Sequence, residues 1–265
     1  MAARKNWTRD ELLVLLNVYH KLTFGQLDRR QPVVIELAEK LGRGANSVAM
    51  KLCNLASLDP ALKLRGIKGL AGASALDRAT WREFHDDLNE TVPASEDMLR
   101  RLFGARAGAE LEVLPKIGIR LKKPPKGPTE ALANVKVRRG QQYFRNAVLN
   151  HFGGRCAVTG VAMRELLIAS HILPWRTHPE ERLNVLNGIS LSRLHDAAFD
   201  VGLISFDADY RLILSPKLKR ELTQKGLQEN FGAYAGESLI LPHDAAFPNE
   251  QFLAEHRRSI FARGK

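Results

Sequence analysis

Ala169-Ser-His-Ile-Leu-Pro-Trp175, followed by Asn187-Gly-Ile-Ser-Leu-Ser-Arg-Leu-His-Asp-Ala-Ala-Phe-Asp200, is the stretch that decides how the second half of this chain folds. The apolar run at 165–169 reads as a strand that delivers His171 at its end. Pro174 has no N–H to offer, so regular pairing stops there. An irregular loop leads to Asn187, and from about Ser192 the residues read as a helix. That helix sets Asp196 and Asp200 at i and i+4, on one face. Upstream, residues 156–159 and 166–169 read as the two strands of a hairpin. Downstream, 202–206 and 211–214 read as a second hairpin, 239–241 as a further short strand and 248–261 as a closing helix.

The ordered blocks resemble the HNH nuclease superfamily, the ββα-metal fold. The likeness is greatest to its restriction-type branch reading Cys-x-x-Thr-Gly, Ala-Ser-His-Ile-x-Pro-Trp, Asn-Gly and His-Asp-x-x-Phe-Asp-x-Gly-Leu-Ile. Here these are Cys156, Thr159 and Gly160; Ala169 to Trp175; Asn187 and Gly188; and His195 to Ile204. The resemblance runs from about Arg139 to Phe261. It implies that His171 is the general base, Asn187 steadies the loop that carries it, and Asp196 is a metal ligand. It also implies one Mg²⁺ or Mn²⁺ ion and products with 5′-phosphate and 3′-hydroxyl ends.

Elementary chemistry agrees with those roles. Histidine titrates near neutrality and can take a proton from water. A hard divalent ion prefers oxygen donors, which favours Asp196 with Asp200 one turn on. His195 points about 100° away on a helix; it is a further ligand candidate, a phosphate contact or a fold anchor. Many HNH proteins carry Asp or His immediately before the base, whereas this chain has Ser170, a poor ligand. Arg176 and Arg193 flank the motif and are candidates for contact with the scissile DNA. His151, His243 and His256 read as capping or surface residues.

The 265 residues carry a formal charge of +11 and a pI of about 9.9, which favours a polyanionic partner such as double-stranded DNA. Between Lys116 and Arg145, nine basic residues stand against Glu130 alone, as in a phosphate-tracking strap. Cys53 and Cys156 are the only cysteines, too few for a four-cysteine zinc clamp or a disulfide framework. Cys156 is expected to pack under the first hairpin. No apolar run of about eighteen residues and no signal-peptide core is present, so the expectation is a cytoplasmic protein with no membrane partner.

The first ninety residues read as helices. Asn6 or Thr8 caps the first, with Trp7 as a hydrophobic staple, and Pro32 opens the second. Gly42-Arg-Gly44 stops that second helix before another running through Val48 and Leu55. Helix, glycine turn, helix is the pattern of a helix-turn-helix, which would direct Arg43, Asn46, Ser47 and Lys51 at DNA. An ordinary helical bundle gives the same pattern. Residues 76–88 read as a fourth helix, and 60–72, with Lys63, Arg65 and Lys68 between glycines, as a loop.

The expected fold class is therefore α+β. A helical, helix-turn-helix-like DNA-recognition domain (1–92) and a basic linker (93–138) precede an HNH nuclease domain (139–265). The linker's Lys122-Lys-Pro-Pro-Lys-Gly-Pro128 should wrap a surface or stay mobile. The functional expectation is a metal-dependent DNA endonuclease of restriction or defence type, with dependence on base modification left open. A non-catalytic DNA-binding protein on an HNH scaffold, and a homing-type or RNA-directed nuclease, are the alternatives. One such centre cuts one strand, so a double-strand break calls for a homodimer or two visits.

Overall fold

The computed structural model describes residues 6–105, 109–122 and 132–263. The chain forms two compact units, Met1–Asn150 and His151–Lys265.

In the first unit, α1 (Arg9–Tyr19) starts at Thr8, whose side chain accepts from the Glu11 N–H while the Glu11 carboxylate accepts from the Thr8 N–H. This capping box satisfies two of the helix's orphan donors. Every α1 residue from Leu12 to Tyr19 is buried, so α1 is the central helix of this unit. Pro32 opens α2 (Pro32–Leu41), and Gly42, at φ 62, ends it with the Arg43 N–H on the Ala38 carbonyl at 2.9 Å. Next come α3 (Ala45–Ala56), α4 (Pro60–Leu64), α5 (Ala75–Asp86) and α6 (Leu88–Leu102). A hairpin of β1 (Glu110–Leu114) and β2 (Gly118–Lys122) and then α7 (Leu132–His151) complete the unit.

Much of the expected linker is thus built into the helical unit, and the division falls at Asn150 in place of residues 92 and 138. Polar contacts explain it. The Glu36 carboxylate takes the Ile119 N–H at 2.7 Å and Arg120 Nη1 at 3.0 Å, which fastens the hairpin to α2. Arg100 on α6 donates to the Ala109 carbonyl and, at 2.7 Å, to Gln142 on α7. Two residues of the basic strap, Arg120 and Arg139, are paired with Glu36 and Asp97. Lys123 to Pro128 lie outside the described residues.

In the second unit, β3 (Leu167–His171) pairs antiparallel with β4 (Gly188–Ser192), and α8 (Arg193–Asp200) follows directly. The expected partner of β3, residues 156–159, is instead a turn. Gly160 at φ 71 donates to the Cys156 carbonyl at 3.0 Å, and Ala157 N–H meets the Ser190 carbonyl at 2.7 Å. Cys156 is fully buried, and its sulfur accepts from the Ser192 N–H at 3.3 Å. Gly188–Leu191 is buried throughout and makes the more extensive ladder. The second hairpin forms as read, from β5 (Ile204–Phe206) and β6 (Leu212–Leu214). Residues 239–241 make no strand; the nearest pairing is a single bridge between Arg211 and Ser238. The unit is completed by α9 (Pro216–Arg220), α10 (Lys225–Asn230) and α11 (Glu250–Ser259).

His256, expected as a capping or surface residue, is 1% exposed. It stacks on Phe199 with ring centroids 3.7 Å apart; Nδ1 meets the Ser205 hydroxyl at 2.9 Å and Nε2 the Phe199 carbonyl at 3.1 Å. Burial pushes its pKa down to about 4, against the bond to Phe199. The unfolded chain therefore binds the proton first as pH falls. Stability should be full above pH 6.5 and drop by about 3 kcal/mol as pH falls to about 4. Denaturant unfolding at pH 7 and pH 4.5, for this protein and for His256→Gln, measures the difference; an equal acid loss in both would contradict it.

Candidate active site

His171 is the last residue of β3, opposite Gly188 in the ladder. Its Nε2 lies 3.0 Å from the Arg182 carbonyl, which can only accept, so Nε2 carries the proton. In the neutral ring the basic lone pair is then on Nδ1. The ring also packs edge-on to Trp175, with centroids 5.3 Å apart. Burial lowers the His171 pKa, opposed first by the bond to Arg182 and then by the charge of Asp196. The imidazole is consequently in its basic form at neutral pH.

The loop between β3 and β4 is held by its own polar groups. Asn187 is fully buried: Oδ1 accepts from the Leu173 N–H at 2.8 Å, and Nδ2 donates to the Glu181 carbonyl at 3.0 Å. Its backbone carbonyl takes the Ile172 N–H at 2.9 Å, one step beyond the strand ladder. Arg182 Nε donates to the Trp175 carbonyl at 2.8 Å, and the guanidinium lies 5.0 Å from the Trp175 ring centroid. Asn187 and Arg182 thus close the loop across its width. The backbone carbonyl that fixes His171 belongs to this closed loop.

On α8, Asp196 and Asp200 stand one turn apart. Asp200 is exposed as a residue, yet partial desolvation of its carboxyl, and then the charge of Asp196, push it up to about 6. Asp196 acts electrostatically on both Asp200 and His171, so these three groups share one field. A divalent cation would relieve the repulsion between the two carboxylates. Two hard oxygen donors suit an ion that keeps several water ligands, as Mg²⁺ does. Among the described residues, no group of three or more His, Cys, Asp and Glu is gathered to hold a metal.

His195 faces the other way. It is 1% exposed, with Nδ1 2.8 Å from the Ser192 hydroxyl, Nε2 2.8 Å from the Asn230 carbonyl and its ring against Phe231. Both ring nitrogens are engaged, so of the three roles open to it, ligand, phosphate contact or fold anchor, these contacts favour the last, tying α8 to the end of α10. Ser170 is 2% exposed and, by strand alternation, points to the face opposite His171. Arg176 and Arg193 are exposed, in the loop and at the start of α8.

Two of the four DNA contacts expected from the first unit are taken up inside it. Arg43 pairs with Glu11 at 2.7 Å and lies 3.8 Å from the Trp7 ring centroid; Lys51 pairs with Asp77 at 2.8 Å and is buried. These bonds tie the turn before α3 to α1, and α3 to α5. Asn46 and Ser47 remain exposed.

Residues that sequence reasoning passed over include Arg182, whose carbonyl sets the His171 tautomer, and Asn230, which receives His195. Both receive their histidine through a backbone carbonyl, which leaves no side-chain signal. Trp175 adjoins the motif and was legible. No helix among the described residues is long and apolar enough to cross a membrane. No curated protein matches the chain. Residues 156–207, the span holding β3, β4, α8 and β5, match the HNH endonuclease family model.

Proposed function

We propose that this protein is a metal-dependent DNA endonuclease that hydrolyses phosphodiester bonds to 5′-phosphate and 3′-hydroxyl ends. The observation that carries the reading is the His171 arrangement. The ring is kept neutral by burial, its Nε2 proton is committed to the Arg182 carbonyl, and the carboxylate field of Asp196 lies close by. In the reaction, His171 Nδ1 takes the proton of the attacking water. The proximity of Asp196 stabilises the imidazolium that results. Asn187 and Arg182 hold the loop so that the ring does not turn away from its carbonyl partner. Asp196 and Asp200 would hold Mg²⁺ or Mn²⁺, which when bound supplies charge neutralisation at phosphorus and at the departing oxygen. Arg176 and Arg193 are offered as exposed contacts to the substrate phosphates. A restriction or defence role follows from the resemblance to the Ala-Ser-His-Ile-x-Pro-Trp branch.

The ligand assignment has its own test. Asp196→Ala should abolish metal-dependent cleavage, whereas Asp200→Ala should lower it less and raise the Mg²⁺ concentration needed. Asp196→Asn keeps an oxygen at similar reach and should retain a fraction of the activity. Cleavage rates titrated with Mg²⁺ and Mn²⁺ distinguish the three. Wild-type metal dependence in Asp196→Ala, with loss in Asp200→Ala, would reverse the assignment.

A further inference from the structure

Between Pro60 and Leu76 the chain has Lys63, Arg65 and Lys68 and no acidic residue. The fold makes this segment a fastened projection. Asp59 caps α4 through the Ala61 N–H at 2.8 Å and receives the Tyr19 hydroxyl at 2.6 Å. After α4, the Gly66 N–H meets the Lys63 carbonyl at 2.9 Å and the Ile67 N–H meets the Leu62 carbonyl at 3.0 Å. The returning segment is tied to α3 by the Leu70 N–H on the Cys53 carbonyl at 3.0 Å. Gly69 lies so close to α3 that a Cβ there would stand 2.3 Å from the Ser57 nitrogen and 2.5 Å from the Cys53 oxygen.

At the tip of this braced turn Leu64 is 90% exposed, the most exposed large apolar side chain described, while its neighbour Leu62 is buried. Lys63 and Lys68 are exposed beside it. A lone apolar side chain in water is ordinary on a mobile loop. Here both flanks are hydrogen-bonded, so the backbone presents Leu64 and cannot readily fold it back. Basic groups that meet phosphates around an apolar side chain that enters the base stack are the equipment of proteins that kink duplex DNA.

We infer that residues 63–68 form a duplex-DNA contact in which Lys63, Arg65 and Lys68 meet phosphates and Leu64 is a wedge between base pairs. The identity of the polyanion rests on the endonuclease reading above; the wedge goes beyond it. The net charge of +11 favours DNA over a neutral partner.

The test uses the full chain carrying His171→Ala, so that bound DNA is not cut. Anisotropy of a labelled duplex is followed against salt, together with fluorescence of a duplex bearing 2-aminopurine at a flexible pyrimidine–purine step. The combined Lys63→Gln, Arg65→Gln and Lys68→Gln variant should lower the salt slope by about 2 to 3. Leu64→Ala should keep the slope, bind about tenfold more weakly and lose the 2-aminopurine signal of unstacking. Unchanged DNA binding in both variants overturns the inference. So does a Leu64→Ala variant that loses affinity only for phosphatidylserine vesicles, which would make the turn a lipid contact. Plasmid cleavage by the wild-type chain is scored separately. Cleavage with unaltered binding by the loop variants sinks the wedge alone, whereas salt-sensitive binding without any cleavage sinks the nuclease reading.

Discussion

Replacing His171 with alanine is expected to reduce DNA cleavage by about 10²- to 10⁴-fold, the usual contribution of a general base, while DNA binding and the folding of the second unit stay near normal. The argument rests on where the ring sits. It ends β3, packs edge-on to Trp175 and meets the Arg182 carbonyl through Nε2. Losing that bond leaves Asn187 in place to clamp Leu173 and Glu181, so the loop keeps its closure. A nicking assay under single-turnover conditions, with circular dichroism of the variant, separates chemistry from folding. Cleavage by His171→Ala within about threefold of wild type would remove the base from the proposed mechanism, being far short of the loss of a general base.

The second large effect is structural and lies in the first unit. Lys21 is fully buried just after α1, ion-paired with Glu96 of α6, and donates to Asn17 Oδ1 at 2.8 Å. Asn17 in turn donates to the Ser95 hydroxyl at 2.9 Å, and the ammonium lies 5.4 Å from the Tyr143 ring centroid of α7. Burial drives the Lys21 pKa down, against the charge of Glu96. Lys21→Met leaves the Glu96 carboxylate buried without its cation and should cost about 3–5 kcal/mol of stability. Adding Glu96→Leu removes that stranded charge, so the double variant should recover most of the loss. Denaturant unfolding of both variants checks this; equal destabilisation in single and double variants would contradict it.

Neither the Lys21 network nor the division of the chain could be read from the sequence. Lys21 follows Asn17 at i+4 beside an apolar helix, which is a local hint, but Glu96 is distant in sequence and nothing in the local pattern points to it. The boundary at Asn150 was hidden for the same reason: Glu36 reaching the Ile119 N–H, and Arg100 reaching Gln142, are nonlocal bonds. Local signals were read more reliably. The Thr8 cap, Pro32 at a helix start, Gly42 at a helix end, and the i, i+4 relation of Asp196 and Asp200 are set within one turn of chain.

The site was legible where spacing alone decides geometry. His171 closes a strand, and Asn187 does hold the loop that carries it, through both its side-chain amide and its backbone. What the sequence left open is orientation: His195 and Asp196 are adjacent, and the packing of His195 under Asn230 and Phe231 selects the anchoring role among its three, while the charge of Asp196 acts on His171. Likewise Arg43 and Lys51 have the composition of DNA contacts, but Glu11 and Asp77, contributed by other helices, claim both. The strand pairing was misread because Cys156-Ala-Val-Thr159 looks like the apolar strand and Gly188-Ile-Ser-Leu191, with its Gly and Ser, does not. The ladder goes to 188–191, which is buried along its whole length.

The most direct test of the central claim is cleavage by the purified wild-type chain and the chemistry of the ends it leaves. Supercoiled plasmid, methylated, hydroxymethylated or unmodified, is incubated with Mg²⁺, with Mn²⁺ or with EDTA. The products are then labelled by polynucleotide kinase before and after phosphatase treatment. The account predicts nicked or linear DNA with either metal and none with EDTA, with ends that accept label only after phosphatase. Cleavage that persists in EDTA, ends that label directly, or intact plasmid of every kind with both metals would contradict it.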